Sequence, residues 1–87
     1  MTEAGVIKIL FFAQLREMLE LESLNFDLPE AINVAQLKKQ LAAKGGRWQL
    51  MFAEQEVLVA VNQVITDDDC VLKTGDEVAF FPPVTGG

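Results

Sequence analysis

VIKILFFAQLREMLELESLNFDL, residues 6–28, joins two apolar strands of different pattern through a short polar connection. The first, Val6 to Ala13, is rich in β-branched and aromatic residues, which suit a pleated surface. Successive strand side chains point to opposite faces, so Ile7, Ile9 and Phe11 share one face and Val6, Lys8, Leu10 and Phe12 the other. Lys8 marks the second face as solvated, which leaves Leu10 and Phe12 as apolar groups away from the core. Ser23 to Leu28 alternates cleanly: Leu24, Phe26 and Leu28 face in, while Ser23, Asn25 and Asp27 face out. That is a half-buried antiparallel strand, ended by Pro29. Gln14 to Leu21 connects the two, with room for a helical turn.

Beyond this hairpin, Asn33 is an N-cap for a helix over Val34 to Lys44, with Val34, Leu37 and Leu41 on one face. Lys38, Lys39 and Lys44 fall toward solvent or the C-terminal end, and Gly45-Gly46 supplies a left-handed stop. Arg47 to Phe52 reads as a short second helix with Trp48 packed beneath it. Val57 to Val61 is a continuous apolar run and hence a central strand. Asn62-Gln63 turns the chain into a short strand at Val64-Ile65, and Thr74-Gly75-Asp76 turns it into the last strand, Glu77 to Phe81. Val78 and Phe80 share one face of that strand, Ala79 and Phe81 the other. A hairpin, a helix and then further strands predict an α+β fold of the ubiquitin-like β-grasp kind. About five strands form its mixed sheet, with one main helix on one face and the first and last strands parallel at the centre. The expected division is a body over residues 1–81 and a flexible tail over 82–87.

Composition narrows the function. At 87 residues the chain is one domain, and 51% apolar residues give it a core. Seven basic against thirteen acidic residues leave a net charge of −6, which repels phosphate backbones and argues against nucleic acid. The same charge favours partners with basic clefts. Val6 to Ala13 is too short to cross a bilayer and nothing resembles a secretion signal, so no membrane role and a cytoplasmic location are expected. One cysteine, Cys70, and no histidine rule out an internal disulfide, the usual metal clusters and Ser–His or Cys–His nucleophile pairs. Asp67, Asp68 and Asp69 lack the spacing and glycine of a calcium loop and read as a solvated turn. They also deny Cys70 the electropositive surround that a reactive thiolate needs.

Two features point elsewhere. Phe12, Ile65 and Phe81 fall on strand faces with solvated neighbours, and six phenylalanines and a tryptophan exceed what the helix side alone can bury. They predict an apolar docking patch on the open sheet face. The run Phe81-Pro82-Pro83-Val84-Thr85-Gly86-Gly87 follows. Pro82-Pro83 fixes the direction of exit, and glycines thread narrow channels because they lack a Cβ. From Val84 to Gly87 the reach is roughly 13 Å, enough to carry a terminal carboxylate into a partner's site.

The segments KILFFAQLRE (Lys8 to Glu17), VAVNQ (Val59 to Gln63) and GDEVAFFPPVTGG (Gly75 to Gly87) resemble the small subunits of molybdopterin synthase, over nearly the whole chain. The resemblance implies a sulfur carrier in molybdenum-cofactor biosynthesis. In that family an activating, ubiquitin-activating-like adenylyltransferase uses ATP to adenylate the terminal glycine, here Gly87. A sulfur donor protein then supplies the sulfur that makes a thiocarboxylate. The tail, with Gly86 behind its end, enters the large subunit of a 2+2 heterotetramer, and sulfur passes to cyclic pyranopterin monophosphate (precursor Z). The resemblance gives the chain no permanently bound cofactor or metal, places catalytic side chains on the large subunit, and assigns Phe12, Ile65 and Phe81 to the interface. Pro82, Pro83, Val84 and Thr85 then lead the tail into the partner. The competing readings are a carrier for thiamine thiazole synthesis, a ubiquitin-like protein modifier and a bare interaction domain.

Overall fold

Alternation along the first strand does what its side chains dictate: Ile7, Ile9 and Phe11 are sealed from solvent, and Val6 and Lys8 lie outside. The computed structural model describes residues 5–83, so the expected tail positions Val84, Thr85, Gly86 and Gly87 lie outside the described residues. The elements are, in order, β1 (Gly5–Phe11), α1 (Gln14–Leu19), β2 (Ser23–Leu28), β3 (Ile32–Asn33), α2 (Val34–Ala42) and α3 (Arg47–Gln49). A turn of π-helix (Leu50–Glu54) follows, then β4 (Leu58–Val61), β5 (Val64–Thr66), β6 (Val71–Leu72) and β7 (Glu77–Phe81). Five strands form one mixed sheet in the order β2-β1-β7-β4-β5, and β3 and β6 make a separate two-stranded ladder. β1 and β7 pair in parallel with β7 in the middle, as the sequence predicts. All other pairs in the five-stranded sheet are antiparallel. This is the expected β-grasp fold.

Helix α2 forms because its apolar positions repeat at helical spacing and its start is capped on both sides. Asn33 Oδ1 accepts from Gln36 N at 2.8 Å, and Gln36 Oε1 accepts from Asn33 N at 2.9 Å, a complete capping box. The next two amides, Val34 N and Ala35 N, donate to the carbonyls of Cys70 and Asp68, so the acidic loop is tied to the helix start. Val34, Leu37 and Leu41 are fully buried against the sheet, each worth about 1.5–3 kcal/mol of apolar transfer. The helix stops at Ala42, two residues before the expected end, and Gly45 at φ 80° takes the left-handed position. Lys38 corrects another expectation. Its ammonium donates to Val57 O at 3.2 Å and pairs with Asp68 at 2.9 Å, so it bridges α2 to the start of β4 instead of pointing to water.

The core is aromatic at one end of the sheet. Phe11 and Phe80 stack on neighbouring strands with centroids 6.4 Å apart, Phe52 meets Phe80 edge-on at 5.0 Å, and Trp48 meets Phe11 edge-on at 5.6 Å. Trp48 is only half-buried, and Lys44 lies over its ring. Where a short second helix was expected at Arg47 to Phe52, the chain makes a three-residue α-helix that widens into the π turn, which buries Met51 and Phe52. β1 ends at Phe11 rather than at Ala13, because the chain turns at Phe12–Leu15 and continues as α1. Among the described residues no helix is long and apolar enough to cross a membrane.

Candidate functional site

Strand parity places Leu10, Ala79, Ala60 and Ile65 in a single row across four strands. The register pairs Leu10 with Ala79, Ala79 with Ala60, and Ala60 with Ile65. Phe81 lies opposite Leu58 in the adjacent row. Phe12 follows the Phe11–Phe80 pair and donates its N–H to Phe80 O at 3.1 Å, which sets it beside Phe81. All these residues have the parity opposite to the buried Phe11, Val78, Phe80 and Val59, so they belong to the sheet face turned away from α2. From Leu10 to Ile65 the row crosses three inter-strand gaps, roughly 14 Å at 4.7–4.9 Å each.

The structure therefore brings Phe12 and Phe81 together and places Ile65 on the same face, at the edge strand. Phe12 is 46% exposed and Ile65 71% exposed, and their position on one face with Phe81 makes them part of an exposed apolar patch. Phe81 and Leu58 are half-exposed. Between the bulky residues stand the short side chains of Ala60 and Ala79, a low strip that makes the row a trough across the open face. Sequence reasoning missed Leu58 and Ala60 because the continuous run from Val57 to Val61 looked buried on both faces. The signal was their parity relative to the inward Val59.

A hairpin turn and a proline pair border the trough. Asn62 and Gln63 both have positive φ, 51° and 70°, the two-residue hairpin turn that brings β5 back on β4 and sets Ile65 opposite Ala60. The Asn62 side chain fixes this turn: it accepts from Glu77 N at 3.0 Å and donates to Asp76 at 3.0 Å. At the other end, Pro82 and Pro83 leave β7 half-buried. They form one wall of a shallow groove of about 330 Å³, whose other walls are Ala13, Gln14, Leu15, Gln55 and Glu56.

Chemically the described body offers a surface and little else. No polar or charged side chain among the described residues is buried, so there is no enclosed acid–base constellation. No group of three or more His, Cys, Asp or Glu among them is placed to hold a metal ion. In the acidic loop, Asp68 is engaged with Lys38 and Asp67 accepts from Asp69 N at 3.0 Å. Cys70 is a half-buried free thiol, in line with the plain reading of it.

Comparison with known proteins adds the family. The model of the ThiS family matches residues 9–87. The molybdopterin synthase sulfur carrier subunit of Escherichia coli (strain K12) is 45% identical over 84 residues, covering 94% of this chain and all of that protein. A solved structure from Pyrococcus furiosus superposes with a TM-score of 0.78 at 28% identity, over 93% of this chain and all of that one. The complex of subunits 1 and 2 of molybdopterin-converting factor from Helicobacter pylori 26695 contains the same fold. It superposes with a TM-score of 0.64 at 23% identity, over 94% of this chain and 99% of that one. With a family match reaching from β1 to residue 87 and a relative of this identity aligned throughout, the chain belongs to the ThiS family and, within it, to the molybdopterin synthase sulfur carrier subunits.

Proposed function

We propose that the chain carries sulfur on its own C-terminal carboxylate, at Gly87, and delivers it for building the molybdopterin dithiolene. The observation that carries this reading is the apolar trough of Phe12, Phe81 and Ile65, which sits directly upstream of the Pro82-Pro83 exit. A large synthase subunit docks on the trough and receives Val84, Thr85, Gly86 and Gly87 in a channel. The subunit 1–subunit 2 complex known for the Helicobacter pylori protein is the kind of partnership meant. The assembly is two small and two large subunits.

The chemistry begins with a carboxylate, which is a poor acyl donor. An adenylating enzyme joins the Gly87 carboxylate to the α-phosphorus of ATP, and pyrophosphate leaves. The acyl-adenylate is then attacked by the outer sulfur of a persulfide on a donor protein, and AMP departs as its bond to the carbonyl carbon breaks. A second thiol of the donor cleaves the S–S bond, which frees the thiocarboxylate and leaves a disulfide on the donor. The thiocarboxylate formed is soft and nucleophilic, and it attacks precursor Z inside the large subunit. Water then hydrolyses the acyl–sulfur bond, leaving the sulfur on the product and the Gly87 carboxylate regenerated. Gly86 and Gly87 keep the reacting carbon uncrowded. Docking of the body makes the encounter effectively intramolecular, which accounts for a large share of such rate gains. Acid–base groups come from the partners, since the chain has no histidine.

Deletion of Gly86 and Gly87 tests this. With purified large subunit, activating enzyme, sulfur donor and precursor Z, the truncated protein forms no molybdopterin while its melting temperature is unchanged. The wild type, incubated with the activating enzyme and donor, gains the mass of one oxygen exchanged for sulfur. Product from the truncated protein would overturn the reading. Isopeptide-linked adducts of the wild type in cell extracts would support the protein-modifier alternative instead.

A further inference from the structure

The same unusual turn occurs twice among the described residues, once with glycine and once without. At Gly46 the backbone has φ 56° and ψ −129°, and at Ala13 φ 55° and ψ −129°. The hydrogen bonding is also the same. Trp48 N donates to Gly45 O and Leu50 N to Gly46 O, just as Leu15 N donates to Phe12 O and Glu17 N to Ala13 O. Each is a type II′ turn that opens a short helix, and its first central position is one that glycine normally fills. An alanine held there is strained, and such strain persists where the surrounding structure or the function requires it.

The position of Ala13 says what its methyl group is for. Ala13 follows Phe12 of the trough, and it is one of the residues that line the same groove as Pro82 and Pro83. Gly46 has no such neighbourhood, and a Cβ built there meets nothing within 4 Å. We propose that Ala13 is a positioning residue for the tail: its methyl group walls the groove and restricts the angles at which the chain leaves along Pro82-Pro83. Glycine would relieve the backbone at this turn but widen the range of exit directions. The inference rests on tail delivery as set out above.

Ala13→Gly and Ala13→Ser test it in the reconstituted synthase, together with Gly46→Ala as the mirror-image control. Ala13→Gly raises the melting temperature by about 4–8 °C as strain is lost. At saturating large subunit it slows sulfur transfer about three- to tenfold, while affinity for that subunit is unchanged. Ala13→Ser keeps the Cβ and transfers at the wild-type rate. Gly46→Ala lowers the melting temperature and leaves transfer alone. A wild-type transfer rate in Ala13→Gly overturns the proposal, as does a fall in its melting temperature or an equal slowing in Ala13→Ser. Failure of the tail-delivery reading is distinguishable, because it shows in the wild-type protein before any variant is compared.

Discussion

The two faces of the central sheet carry similar residues and meet different fates. On the helix side Ile9, Phe11, Val78 and Phe80 are wholly buried, while on the opposite side Leu10, Ala79 and Phe81 occupy the alternate positions of the same two strands, with Phe12 just beyond the end of β1. Adjacent residues of one strand, Phe80 and Phe81, thus serve separate ends. One is fixed by Phe11 and Phe52 and stabilises the fold. The other faces the trough and is free to be covered by a partner. In a strand, parity alone divides core residues from those left on the open face.

Substitutions on each side should break that symmetry in opposite directions. The largest effect is expected from Phe80→Ala, which removes the centre of the aromatic cluster and costs about 3–5 kcal/mol of stability, measurable by urea denaturation. Next comes Phe81→Asp, which places an unpaired charge in the docked interface and weakens large-subunit binding by about 2–4 kcal/mol in calorimetry. Its loss of folding stability stays well below that of Phe80→Ala. Similar denaturation midpoints for the two, or unchanged affinity in Phe81→Asp, would erase the division between the faces. The smallest effect belongs to Asn33→Ala, which removes the cap of the helix covering the core side. It costs about 1 kcal/mol of stability and leaves partner affinity untouched.

Much of this was legible in the residues because alternation is a strong signal where one face is wet. Lys8 in β1, the polar positions Ser23, Asn25 and Asp27 in β2, and Asn33 ahead of α2 each fixed an element or its orientation. Apolar uniformity hid the rest. Phe12 and Ala13 extend β1 in composition but not in structure, since a turn that normally needs glycine is built on alanine there. Leu58 and Ala60 were absorbed into a run without polar punctuation. The ladder of β3 and β6 is two residues on each side, too short to leave a periodic trace, and it depends on the loop carbonyls that tie Cys70 and Asp68 to α2. Phe12, Phe81 and Ile65 were readable because each stands beside a polar or small neighbour of matching parity.

The parallel pairing of β1 with β7 also governs how the molecule comes into being. The middle strand of the sheet is the last one synthesised, and its partners on both sides are made earlier. A nascent chain can assemble the first hairpin and α2, but it leaves an open seam until β7 clears the ribosome and inserts. Such late, long-range closure slows folding. A chain broken before β7 therefore lacks both the centre of the sheet and Phe81 on its open face.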